Sequence, residues 1–191
     1  HGNGGIAAYR DYYPGSLAPL GYRTILAEYP AYGGRGGELG EDSYVNDAVE
    51  TIRIAAETYG GRIYLLGESM GCAVAAAAAK KTGPGIHGLI LFTPWDTLLS
   101  LAREKVPYFL VRPIMKDKYD SIKDLQDYKG RIAIAGAERD DVIPIRHAVR
   151  LYESLPGPKR FWTLNGADHN NWVFVIDRKT WKEIIEYVSG D

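Results

Sequence analysis

Three residue types in this chain could cooperate in nucleophilic chemistry: a serine, a histidine and a carboxylate. Ser69 lies in Gly67-Glu68-Ser69-Met70-Gly71, a G-x-S-x-G pattern in which the serine sits on a tight strand-to-helix turn and the glycines let the two elements approach closely. A neutral hydroxyl is a poor nucleophile, so it needs a base within hydrogen-bond reach and a third group that holds the base in one tautomer. His169, in Gly166-Ala167-Asp168-His169 after the last expected strand, is the histidine placed to be that base; Asp140 and Asp141, after a strand ending at Ala137, offer the acid. The chemistry would be attack of the serine oxygen on an acyl carbon.

The five-residue pattern is weak by itself, since chance produces about one match per ten chains of this composition. Its surroundings decide. Residues 62–66 have the flat, β-rich character of a buried strand, and the run from Gly71 through Ala77 to Lys81 is alanine-rich and reads as a helix. A helix with so little side-chain bulk can lie tight on the middle of a sheet. The plain alternative is a glycine-rich turn carrying an ordinary serine.

The elements that would position the triad follow in order. His1-Gly2-Asn3-Gly4-Gly5 is a loop whose backbone N–H groups are free to face an anion. Residues 22–29 read as a strand and 30–40 as a glycine-rich loop. Asp42 and Ser43 then offer an N-cap to a helix with the apolar stripe Val45, Val49, Ile52 and Ala56, stopped by Gly60-Gly61. Strand, helix and elbow strand make a right-handed parallel crossover, which puts the strand ends and Ser69 on one rim. Further strands are expected at 88–93, 131–137 and 159–164, a helix at 145–155 with Ala148, Leu151, Tyr152 and Leu155 inward, and a closing helix marked by Trp181, Ile184, Ile185 and Val188.

Strands alternating with helices define an α/β fold with a mostly parallel sheet and helices on both faces. Residues 94–129, between the strands ending near Thr93 and Ala137, mix Tyr108, Phe109, Leu110, Val111, Ile114 and Met115 with charges and with Pro107 and Pro113. They read as short helices over the rim, either a lid-like insertion shaping an apolar pocket or connecting helices that pad the sheet.

Composition narrows the classes. The 191 residues, 46% of them hydrophobic, suffice for one domain spanning 1–191. Net charge is −1, from 23 basic and 24 acidic residues scattered along the chain, so there is no electrostatic footprint for nucleic acid. Cys72 is the one cysteine and reads as a small buried hydrophobe, while His1, His87, His147 and His169 show no zinc-ligand spacing. Neither a metal nor a cofactor is expected. No apolar run reaches the span of about 18 to 20 residues that a membrane crossing needs. A cytoplasmic location is the default, with a membrane contact only through a segment preceding His1.

These motifs together resemble the α/β-hydrolases, and are similar to single-domain members such as acyl-protein thioesterases, lysophospholipase-like enzymes and many bacterial esterases. The resemblance rests on residues 1–5, on Tyr32-Gly33-Gly34-Arg35-Gly36, on the elbow, on Asp140-Asp141-Val142-Ile143-Pro144 and on residues 166–169, and the order serine, acid, histidine is that of the family. It implies a serine hydrolase acting on an ester or thioester. It selects Asp140 over Asp141, four positions before Pro144, with Asp96 as the fallback acid. It also implies oxyanion donors in the N–H groups of Met70 and Asn3. In the family the His-Gly loop follows a central strand, so the resemblance implies about three further strands ahead of His1. The chain would then be N-terminally incomplete, or the sheet would close the gap in an unusual way.

Two other classes stay open at this level. One is a catalytically inactive hydrolase-fold fragment or interaction protein. The other, remote, is a nucleotide-dependent oxidoreductase, since Gly2-Asn3-Gly4-Gly5-Ile6-Ala7 matches G-x-G-x-x-A and Glu28 stands where a ribose would want an acid. Pro14-Gly15 lies too close behind for the helix such a site requires. The partner expected is a small acyl substrate.

Overall fold

The computed structural model describes residues 1–104 and 115–190. Four strands, β1 (Ile63–Glu68), β2 (Ile86–Phe92), β3 (Arg131–Ala137) and β4 (Lys159–Leu164), form one parallel sheet in that spatial order. The register aligns Glu68 with Phe92, Phe92 with Ala135 and Ala135 with Trp162. All four carboxyl ends therefore reach one rim. Such strands are apolar nearly throughout because both faces are covered.

Eight helices are described: α1 (Tyr12–Leu17), α2 (Glu41–Tyr59), α3 (Met70–Thr82), α4 (Leu98–Arg103), α5 (Ser121–Leu125), α6 (Arg146–Ser154), α7 (Trp172–Val175) and α8 (Arg178–Ser189). The period of two along each strand divides the core. Ile90, Phe92, Ala133 and Ala135 face Trp181, Ile184 and Val188 of α8, with Tyr13 and Leu17 of α1. Leu89, Leu91, Ile132 and Ile134 face Cys72, Ala76 and Ala79 of α3 and Leu151 of α6. Every residue from 70 to 79 is buried; the alanines let α3 lie against the sheet up to its last turn.

The expected strand at 22–29 is corrected. Residues 22–28 alternate half-buried with exposed and Tyr29 is buried, but the segment does not join the sheet. A strand needs a ladder partner at about 4.8 Å. Instead a cavity of about 560 Å³, lined by Tyr22, Leu26, Ala48, Tyr59, Ile63 and Leu65 among others, separates it from β1, so β1 is an edge strand among the described residues. The strand pattern of 22–29 is real and its hydrogen bonds are not with β1.

Three smaller differences follow. Helix α2 starts at Glu41 behind Gly40 rather than on a side-chain cap from Asp42 or Ser43; Asp117 Oδ1 accepts from the Glu41 N–H at 2.9 Å and does the capping from outside. Of its stripe, Val45 and Ile52 are buried, Val49 is half-buried and Ala56 is exposed, and the helix turns Ala48, Thr51, Ile52, Ala55 and Tyr59 toward the cavity. Pro14 and Gly15 do not prevent a helix: Pro14 falls in the first turn of α1, where its missing N–H costs nothing.

In the stretch 94–129, Thr97 and Asp120 pair in an antiparallel bridge and each caps a helix, Thr97 accepting from Ser100 N and Asp120 from Lys123 N. Tyr108, Phe109, Leu110, Val111 and Ile114, with Pro107 and Pro113, lie outside the described residues. No helix among the described residues is long and apolar enough to cross a membrane.

Candidate active site

Ser69 links β1 to α3 at φ 53°, ψ −120°, a left-handed conformation that costs a non-glycine residue about 1 to 3 kcal/mol and is retained only where the surroundings impose it. Here they do. Ser69 N–H donates to Phe92 O at 2.9 Å, Cys72 N–H donates to Ser69 O at 3.0 Å, and Cys72 Sγ lies within 3.2 Å of the carbonyls of Gly67 and Phe92. A Cβ on Gly71 would stand 2.8 Å from His1 O. Burial pushes the Cys72 thiol well above its ordinary range, which suits packing and not reactivity.

His169, in the loop after β4, brings Nε2 to 3.0 Å from Ser69 Oγ and Nδ1 to 2.7 Å from Asp140 Oδ2. Asp140, after β3, is fixed through its other oxygen, which accepts from the N–H groups of Val142 at 3.0 Å and Ile143 at 2.7 Å. Its side chain is 1% exposed and that of His169 11%. The two loops are also tied together: Arg139 N–H donates to Ala167 O and Gly166 N–H to Glu138 Oε2. Asp168 and Asn171 cross-bond at 2.8 Å on either side of His169. Asp141 is exposed.

Loop 1–5 lies beside Ser69. Gly2 is buried, and a Cβ there would come within 3.3 Å of Ser69 Cβ. Asn3 is exposed and its Oδ1 accepts from Tyr32 O–H at 2.6 Å. Met70 is the first residue of α3, so its N–H has no acceptor within the helix. The His1 ring faces two acceptors, Glu28 Oε1 at 2.7 Å and Gly2 O at 2.8 Å.

Other candidates are placed elsewhere. The carboxylate of Asp96 is engaged with His147 Nδ1 at 2.6 Å and Ser100 Oγ at 2.5 Å. Burial raises the Asp96 pKa, but Ser100 and His147 outweigh it and hold the group below the usual range. His147 is wholly buried between Asp96 and Glu104, with Nε2 at 3.1 Å from the latter; Asp96 before α4 and Glu104 just after it flank an imidazole carried into the core by α6. His87 is exposed. The glycine loop leads into a single 3-10 turn at Ala7–Tyr9 rather than a helix, and Glu28 is occupied by His1 and the Ala7 N–H. Among the described residues no group of three His, Cys, Asp or Glu could hold a metal ion.

Sequence reasoning missed a second carboxylate centre. Glu68, in the variable position before the serine, gathers Gly2, Arg10, Tyr12 and Tyr13. Burial raises its pKa, and the Arg10 guanidinium and the tyrosine hydroxyls more than offset this, leaving it lowered. The available signal was a glutamate closing an otherwise apolar strand.

A parallel sheet with an elbow serine, a histidine after one strand and an aspartate after its neighbour define the α/β-hydrolase fold. Comparison with known proteins agrees: the family model described as "Serine aminopeptidase, S33" matches residues 16–116, just over half of the chain. The chain belongs to that family of α/β-hydrolases. An uncharacterized protein of Mycobacterium tuberculosis is 29% identical over 178 residues, covering 90% of this chain and 61% of that protein, so the chain spans less than two thirds of that relative's length. Among solved structures, Est1E of Butyrivibrio proteoclasticus with ferulic acid bound has a TM-score of 0.82 at 17% identity, covering 100% of this chain and 88% of that one. Pyrococcus furiosus esterase Pf2001 has a TM-score of 0.78 at 19% identity, covering 100% and 78%. At such identities the likeness is one of fold.

Proposed function

We propose that this chain is a serine hydrolase that cleaves a carboxylic ester or thioester through an acyl-enzyme on Ser69. The observation that carries the reading is the continuous relay from Ser69 Oγ to His169 Nε2 at 3.0 Å and from His169 Nδ1 to Asp140 Oδ2 at 2.7 Å. Esterases stand among the solved structures of this fold, which supports an acyl substrate of this kind.

In this reading Ser69 Oγ attacks the acyl carbon while its proton passes to His169 Nε2, and Asp140 holds the imidazole with Nε2 toward the serine and stabilises the cation that forms. The oxyanion is received by the N–H groups of Met70 and Asn3. Donors aimed at developing charge in a site shielded from water are commonly the largest single contribution to such catalysis. His169 returns the proton to the leaving alkoxide or thiolate. Water, deprotonated by the same imidazole, then releases the acid and restores Ser69. No cofactor enters the scheme.

The test is labelling with a fluorophosphonate, read by mass spectrometry on the intact chain. Modification at Ser69, absent from a folded Ser69→Ala variant, supports the proposal, and turnover of a p-nitrophenyl ester should fall by at least about 10⁴-fold in that variant. A folded wild-type chain that is neither labelled nor active would point instead to a hydrolase fold used without catalysis.

A further inference from the structure

We propose that Glu68 is a positioning residue that sets the backbone of loop 1–5 against the nucleophile, an inference that rests on the serine-hydrolase reading. Its main chain is the last position of β1 and runs directly into the elbow. Its side chain crosses to the loop that carries Asn3. Oε1 accepts from Gly2 N–H at 3.2 Å and from Arg10 Nε and Nη2 at 2.8 and 2.5 Å; Oε2 accepts from the hydroxyls of Tyr12 at 2.8 Å and Tyr13 at 2.9 Å. Arg10 donates onward to Gly4 O at 3.2 Å. Gly2 and Gly4 flank Asn3, so one carboxylate and its guanidinium hold both neighbours of the second oxyanion donor.

The loop cannot supply this rigidity itself, because three of its five residues are glycine. Catalytic donors must be held within about 0.5 Å of the productive position. The Glu68–Arg10 pair meets that demand, since its side chains are only 10% and 14% exposed, its charges cancel, and the two tyrosines stop the carboxylate from turning away. The far side of the loop is fastened separately, through His1 to Glu28 and through Tyr29 O–H to His1 O at 2.8 Å.

Sign separates positioning from a simple charge effect. A carboxylate one residue from the serine opposes a developing oxyanion, so by Coulomb's law alone its neutralisation would speed the reaction. Positioning requires the opposite. In Glu68→Gln, with the intact chain and a p-nitrophenyl ester, kcat and the rate of fluorophosphonate labelling should fall about 10- to 100-fold while KM stays within about threefold. Arg10→Gln should do the same, and the double variant should be no worse than the poorer single by more than about threefold, because both act through one linkage. Rates in Glu68→Gln equal to or above wild type, or multiplied losses in the double variant, would overturn the proposal.

Should Glu68→Gln fail to fold, Tyr12→Phe carries the same test. It removes one donor to Oε2 without changing shape, with an expected three- to tenfold loss in kcat at unchanged KM; wild-type kcat there would overturn the proposal. A folded wild-type chain that resists labelling at Ser69 removes the serine-hydrolase reading and this inference with it. A wild type that labels normally, beside a Glu68→Gln that does too, removes only the role of Glu68.

Discussion

Gly67 and Gly71 stand in contact across the elbow: a Cβ added to Gly67 would lie 2.4 Å from Gly71 O and 2.6 Å from Cys72 N. The obstacle is backbone, so no rotamer change relieves it. Gly67→Ala should therefore destabilise the chain by about 2 to 3 kcal/mol, as overpacking does, and push the elbow out of register with His169. Denaturant melts together with fluorophosphonate labelling check this; an alanine variant of wild-type stability would contradict the contact.

Asp140→Asn tests the relay without disturbing its frame. The side-chain oxygen can still accept from Val142 and Ile143, while the amide that replaces Oδ2 cannot accept from His169 Nδ1–H. Turnover should fall by about 10³- to 10⁴-fold with the melting temperature nearly unchanged. Retention of more than a tenth of the activity would move the acid elsewhere.

Asp96→Ala should give the reverse pattern. It strips a buried imidazole of one carboxylate and frees Ser100 and Arg150, whose Nε lies 3.1 Å from Asp96 Oδ2. Leaving the buried His147 Nδ1 without its acceptor at 2.6 Å should cost about 1 to 3 kcal/mol. Calorimetry should register the loss while Ser69 still labels at a comparable rate below the melting point. Abolished labelling in a folded variant would instead favour Asp96 as the acid.

Acid should weaken the fold partly through Glu68. Its folded pKa is lowered, so it stabilises the native state fully above the ordinary glutamate value of about 4.3 and loses that contribution as pH falls through the lower folded value. Stability measured by urea unfolding from pH 6 down to pH 3 should decline less steeply in Glu68→Gln than in wild type. Equal slopes would remove Glu68 from the acid response.

Cys72 supplies a reporter. Wholly enclosed, with a thiol pushed up by burial, it should react with a disulfide reagent at least about 100-fold more slowly in native chain than in urea. Equal rates would place the start of α3 in solvent.

The parts of this molecule visible in its sequence are those dictated by short-range patterns. Strands β3 and β4 match the expected 131–137 and 159–164, because an apolar run between turn residues admits few other fates once both faces are covered. The four expected anchors of α8, Trp181, Ile184, Ile185 and Val188, are all buried. Ser69, Asp140 and His169 could be nominated since each follows a strand, and parallel strands end on one rim. What stayed hidden depends on distant partners. Residues 22–29 carry a strand's alternation, but a ladder requires a neighbour and no local pattern names one. His147 reads like any histidine at a helix start until α4 brings Glu104 beside it. Glu68 reads as filler in G-x-S-x-G, and its importance lies in four donors that follow from how Arg10, Tyr12 and Tyr13 fold back.

The cavity beside β1 bears on how the molecule ages and breathes. Among the described residues β2 and β3 are hydrogen-bonded on both sides, whereas β1 and β4 each have one neighbour. Amide exchange should thus be faster along β4 and along β1, the strand from which Ser69 hangs, than along β2 and β3. Partial opening of β1, far less costly than global unfolding, would undo the elbow's strained turn while the rest of the sheet persists. In this chain the durability of the elbow would then be set by the seam beside β1 rather than by the stability of the core.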